Sequence, residues 1–95
     1  MRYVWDPAKD LLNRRKHGLS LADGVPALED PHRQVWFDDR YDYGELRIVT
    51  AGKSGAQTLI VVSTERGFDA GGKEEVRIIS VRKANPYEDD WFDFG

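Results

Sequence analysis

The chain has 95 residues, 40% of them hydrophobic and 33% charged. That makes one globular domain with a single modest core, residues 1–95, and excludes a disordered chain. A net charge of −3 removes broad attraction to nucleic acid as a clue, and the absence of cysteine excludes disulfides and thiolate metal sites.

The opening "MRYVWDPAKD" has no apolar leader pattern, and no stretch approaches the roughly 20 apolar residues of a membrane span. A soluble cytoplasmic protein with no membrane contact is expected. "RYVW" reads as a short strand. Asp6 is placed to cap a helix with Pro7 at its first position, Leu11 and Leu12 as its inner stripe, and Gly18 as its stop. Ser20 and Asp23 can start a second helix. Gly24 and Pro26 shorten it, kink it or shift it toward "VPALED", because Pro26 would clash with the carbonyl of Ala22.

Beyond Pro31 the period changes. "RQVWF", "ELRIVTAG", "QTLIVVSTER" and "EVRIISVRK" read as four strands of an antiparallel meander. "DDRYDYG" and "KSGA" are turns, and "GFDAGGKE" is a flexible connection. Trp36 and Phe37 alternate, so one should pack inward while the other is left to stack on a single strand. Asn85 and Pro86 can open a terminal helix or arm, where Trp91, Phe92 and Phe94 would close the core among acids. The fold class expected is α+β: two N-terminal helices on a four-stranded antiparallel meander, with a short N-terminal strand and a C-terminal helix or arm.

"WDPAK" (5–9), Asn13, "KHG" (16–18), Ser20, "GELR" (44–47), "LIVVSTERG" (59–67) and "VRIISVRKA" (76–84) together resemble the BrnT family, from Trp5 to near Glu88. Those are toxins of a bacterial type II toxin–antitoxin system. The resemblance implies a RelE-like ribonuclease fold, cleavage of messenger RNA and growth arrest. It also implies a BrnA-like antitoxin partner that binds DNA through its own domain, so that the toxin meets DNA only indirectly. The second helix, the acidic tail and the long "GFDAGGKEE" connection depart from the family pattern.

Cleaving RNA without a metal requires cations on a phosphorane and groups that take and give a proton. Arg66 and Arg77 are the candidates for holding the phosphate, with Arg47 or Arg82 in support, since guanidinium stays charged and matches phosphate oxygens. His17 and Glu45 are the acid–base candidates, and Lys9 and Lys16 the RNA contacts. Each has a plainer reading: Lys9 and Lys16 as a wet helix face, His17 as a partner of exposed helix carbonyls, and each arginine as the ion-pair partner of Glu65, Glu74 or Glu75. Arg77 and Arg82 lie an odd number of positions apart, which predicts opposite faces. One guanidinium would then meet RNA, and the other would sit under the helices, tied to a carboxylate. Asp38, Asp39 and Asp42 suit Mg²⁺ chemically, but acids in a turn are usually its solvated formers, and two histidines without zinc spacing add nothing. No metal or cofactor is expected. The reading from another class is a non-catalytic binding module that keeps the fold and the antitoxin interface, which the acidic balance favours.

Overall fold

Asp6, Pro7 and Gly18 set the limits of the first helix through three separate backbone effects. The computed structural model of the chain describes residues 1–38 and 46–88. After β1 (Arg2–Val4), the Asp6 carboxylate accepts the Ala8 amide at 2.9 Å and α1 (Pro7–His17) begins with its proline. Gly18 ends it at φ 72°, where its amide donates to the Arg14 carbonyl. The Ser20 amide donates to Asp23 at 2.9 Å and opens a 3₁₀ turn (Leu21–Gly24), which passes into a short α2 (Val25–Leu28). Pro26 explains the break: it can begin a helical turn but cannot sit inside one. Gly24 and Gly52 let this layer lie close on the sheet. A Cβ at Gly24 would come within 2.8 Å of the Val81 side chain, and one at Gly52 would overlap the Ala27 carbonyl.

The strands are β2 (Gln34–Asp38), β3 (Arg47–Ser54), β4 (Gln57–Thr64), β5 (Gly67–Phe68) and β6 (Glu74–Lys83). The expected meander is present as β2, β3, β4 and β6, but it is part of a mixed six-stranded sheet in the order β1-β6-β4-β3-β2. β1 joins parallel to β6, and β5 pairs antiparallel with β6. The flexible connection is therefore an ordered hairpin. Asp69 builds it, its carboxylate accepting the amides of Gly71 at 2.8 Å and Lys73 at 2.9 Å. Those amides, the Lys73 bond foremost, hold its pKa below the usual carboxylate range.

Leu21, Ala27, Leu59, Val61, Ile78 and Val81 form the core between the helical layer and the sheet, with Tyr3, Trp5, Leu19, Val25 and Leu28 around it. Val49, Ala51 and Ile60 form a second buried group on the far face, with Val62 and Ala84. Trp36 lies on that face opposite Val49, and Phe37 on the other opposite Ile48. One of the two was expected to pack inward, but neither is buried: Trp36 is 38% and Phe37 62% exposed on the edge strand.

Helix α1 reverses the expected arrangement. Leu11 and Leu12 are 52% and 61% exposed, whereas Asn13 is buried. The reason lies at the edge of β6, where β1 pairs only with Glu75–Arg77 and leaves Val81 without a neighbouring strand on that side. The Asn13 amide fills the gap. Its Nδ2 donates to the Val81 carbonyl and the Leu19 carbonyl, both at 2.9 Å, and its Oδ1 accepts the Val81 amide at 3.1 Å. Asp10, one turn earlier, accepts the Leu21 amide at 2.7 Å. Polar side chains aimed at backbone thus dock this helix, and its leucines are left outside.

At the other end, Asn85 and Glu88 form a reciprocal cap. Glu88 donates its amide to Asn85 Oδ1 at 2.8 Å, and its carboxylate accepts the Asn85 amide at 2.9 Å. Residues 86–88 are helical, as the Asn85–Pro86 pair predicts. Glu88 also accepts both terminal nitrogens of Arg82, at 2.7 and 2.8 Å. The Arg82 bond, more than any other influence, holds the Glu88 carboxyl below its ordinary pKa. The aromatic positions Trp91, Phe92 and Phe94 lie outside the described residues.

Two predictions follow from these contacts. Asn13→Ala strands the amide and carbonyl of Val81 and should cost about 3 kcal/mol, read as a lower urea midpoint at unchanged slope. A loss under a third of that would show that water replaces the amide. Glu88→Ala should cost about 2 kcal/mol at pH 7. Because the folded pKa is depressed, this stability is present above the usual carboxylate range and lost as pH falls through the depressed value. The difference between wild type and variant in urea melts should therefore shrink as pH falls below the usual carboxylate range.

Candidate active site

Register decides which arginines meet. Along β6, Lys83, Arg82, Val81 and Ser80 face Leu59, Ile60, Val61 and Val62 in turn, but Ser63 faces Ile78. Ile79 is the extra residue of a β-bulge, and it reverses the alternation beyond it. Arg82 shares the far face with its partner Ile60, and Ile78 shares the helix-covered face with Ser63. Arg77, next to Ile78, then returns to the far face. The expectation of opposite faces for Arg77 and Arg82 fails because it counted residues without the bulge.

Arg47 joins them. It pairs with Asp38 on one side and Thr64 on the other, in phase with Val49 and Ala51 on the far face. Asp38, Arg47, Thr64 and Arg77 form one row across three strand junctions, and the Arg77 amide donates to Thr64 Oγ1 at 3.1 Å. Arg47 is half-buried, with its Nε out of solvent, and Arg77 is exposed. Arg77 borders a recess of about 230 Å³ with Thr64, Glu65, Phe68 and Glu75. The sequence reading treated Glu65 as an ion-pair partner; here it lines the same recess as a row arginine.

Arg82 and Arg66 each pair with an acid. Arg82 is on the same face as the row but locked in its two-pronged contact with Glu88, a carboxylate from beyond the strand. Arg66 is not brought to the row. It turns to the helix-covered side, where it borders a recess with Tyr3, Leu28, Ile48 and Ser63, and pairs with Glu74 at 3.6 Å. The Tyr3 phenol there is pushed above its usual pKa, chiefly by burial and then by Glu29, which accepts its hydrogen bond at 3.3 Å. Glu45 lies outside the described residues, as do Tyr41, Tyr43, Asp39 and Asp42. Among the described residues, no group of three His, Asp or Glu side chains is placed to hold a metal ion.

His17, Lys9 and Lys16 come together elsewhere. With Arg15 and Leu12 they form the helical wall of a pocket of about 540 Å³, and Ile79 and Ser80 form its sheet wall. The bulge residue and its neighbour thus stand between Arg77 and Arg82 along β6 and open onto the basic side of α1. No sequence signal marks the bulge, so the pocket could not be read from the pattern. The candidates Lys9, Lys16 and His17 were the sequence pointers to it. No helix among the described residues is long and apolar enough to cross a membrane.

Two strand-borne guanidiniums in one row, beside a cation-lined pocket, can hold a phosphodiester from more than one side. Residues 5–88 match the family model described as the ribonuclease toxin, BrnT, of a type II toxin–antitoxin system, while no curated protein matches the chain. The match takes in Arg47, Arg77, the bulged β6 and the basic face of α1, so the chain belongs to the BrnT family of ribonuclease toxins, whose systems include an antitoxin protein.

Proposed function

We propose that this protein is a metal-independent endoribonuclease that cleaves messenger RNA in the cytoplasm, arrests growth, and is neutralised by a BrnA-like antitoxin. In that module DNA is met only through the antitoxin. The observation that supports cleavage most is the shared row of Arg47 and Arg77 with Thr64 between them. A scissile phosphate over that row has a guanidinium on either side. As the 2′-oxygen bonds to phosphorus and the bond to the 5′-oxygen breaks, extra negative charge appears on the equatorial oxygens. Cations already in place stabilise it without reorganising. One group takes the 2′-hydroxyl proton and another protonates the departing 5′-oxygen, leaving a 2′,3′-cyclic phosphate and a free 5′-hydroxyl.

Glu65, in the recess beside Arg77, joins Glu45 as a candidate base, and His17 is the candidate acid. Lys9 and Lys16 contact the RNA backbone. Arg82 contributes from the same face by holding Glu88 and its own guanidinium still. Arg66 is a flanking cation. Its exposed pair with Glu74 is worth no more than about 1 kcal/mol, so a phosphate can displace it.

The second reading is a binding module that retains the antitoxin interface without cleavage. The capture of Arg82 and Arg66 by carboxylates favours it. Cleavage of a labelled transcript in the presence of a chelator separates the two. Arg77→Ala and Arg47→Ala should each slow cleavage about 10²–10³-fold. Arg66→Ala should act less than about tenfold, in keeping with one exposed charge. Growth arrest on induction should track the same order. Intact RNA with folded wild-type protein, and no arrest, would establish the binding module instead.

A further inference from the structure

The pocket between α1 and the bulge combines two features that the arginine row does not use. Its floor is apolar, made by Leu12 and Ile79, and its rim is cationic, carrying Lys9, Arg15 and Lys16 with His17 at one end. Among the described residues no carboxylate lines it. Leu12 is 61% exposed on a helix whose buried contacts are polar, so packing among the described residues gives no reason for a leucine there. The volume of about 540 Å³ falls within the range of small-ligand sites.

Position gives the pocket a role. Its sheet wall is Ile79 and Ser80, and Arg77 is two residues before Ile79 on the same strand. Two residues of strand span roughly 7 Å, about one nucleotide's reach from the row. A chain of RNA held at Arg47 and Arg77 therefore meets the pocket at the next position. An apolar floor receives the flat face of a base, which a duplex would keep stacked inside. Lysines on the rim receive the phosphate that follows.

We propose that this pocket is a subsite for one unpaired nucleotide flanking the scissile phosphate, with the base on Leu12 and Ile79 and its phosphate on Lys9 and Lys16. For its substrate class the proposal rests on the RNA-cleavage reading. It adds that the protein selects single-stranded RNA and grips it by a base as well as by its backbone.

Binding can be read without cleavage. The probe is a fluorescent 2′-O-methyl RNA of mixed sequence, roughly 12 nucleotides long to span a single-strand site, which has no nucleophilic 2′-hydroxyl. Its counterpart carries the same backbone with abasic sugars. Leu12→Ala, at an exposed position, should weaken binding of the base-bearing probe about tenfold and leave the abasic probe unchanged, in line with the loss of one base contact. Lys9→Ala combined with Lys16→Ala should weaken both probes and reduce the salt slope by about 0.7, one single-strand phosphate contact. Circular dichroism melts check that each variant is folded.

If folded variants bind both probes as wild type does, the subsite is overturned, and the cleavage reading still stands or falls on the Arg77→Ala result. If wild type cleaves nothing yet binds the base-bearing probe in a Leu12-dependent way, the subsite holds and the cleavage reading is lost. Variants that keep RNA affinity but lose affinity for the antitoxin would also overturn it, by assigning the pocket to an acidic protein segment.

Discussion

A β-strand assigns its side chains alternately to two sides, and one inserted residue reverses that assignment for everything beyond it. Ile79 is that residue in β6. Because of it, Val81 and Ile78, three positions apart, both reach the core under the helices, while Arg82 and Arg77, five apart, both reach the far face. A regular strand would have to lose one of these. With Val81 inward, Ile78 would leave the core and Arg77 would enter it, where burying a guanidinium is costly. The bulge lets one strand serve an apolar core and a cationic surface along the same ten residues.

The electrostatic sorting of the arginines follows from which acids can reach them. Glu88 reaches Arg82 because the Asn85–Glu88 cap turns the chain back immediately after β6. Glu74 reaches Arg66 across the hairpin that Asp69 organises. The two pairs differ in kind. The Arg82 contact is two-pronged and its carboxylate is only 11% exposed, so it acts as a structural clamp, whereas the Arg66 contact is long and open to solvent. Arg47 and Arg77 occupy one row with Asp38 and Thr64, and the Thr64 hydroxyl accepts the Arg77 amide. A net charge of −3 therefore says little about this surface. Local potential depends on which cations the strands align.

Much of the architecture was legible because it is encoded in local chemistry. Asp6–Pro7, Gly18, Ser20 with Asp23, and Asn85–Pro86 each mark a helix limit through a backbone bond they make themselves, and each stands where the sequence put it. The four long strands were legible from their apolar periods. Three features were not. β5 is too short to show a period, and the parallel pairing of β1, itself read from "RYVW", is set by β6. The bulge has no residue signature, so the faces of Arg77 and Arg82 came out wrong by one step. The orientation of α1 was misread because apolar residues were assumed to face inward, whereas its docking force is a set of hydrogen bonds to β6 and to the 3₁₀ turn.

That last point links stability to the surface. A helix attached by leucines would bury its apolar stripe and present only charge. Asn13 and Asp10 hold α1 through the backbone of Val81 and Leu21, groups that would otherwise be left unsatisfied at a sheet edge and a helix start. Those bonds are directional, so they fix the rotation of the helix about its axis more tightly than apolar contact would. With the rotation fixed, Lys9, Leu12 and Lys16 fall at spacings of three and four along one side and face Ile79 together. The same amide that completes the edge of β6 thus sets the mixed apolar and basic character of the wall beside it.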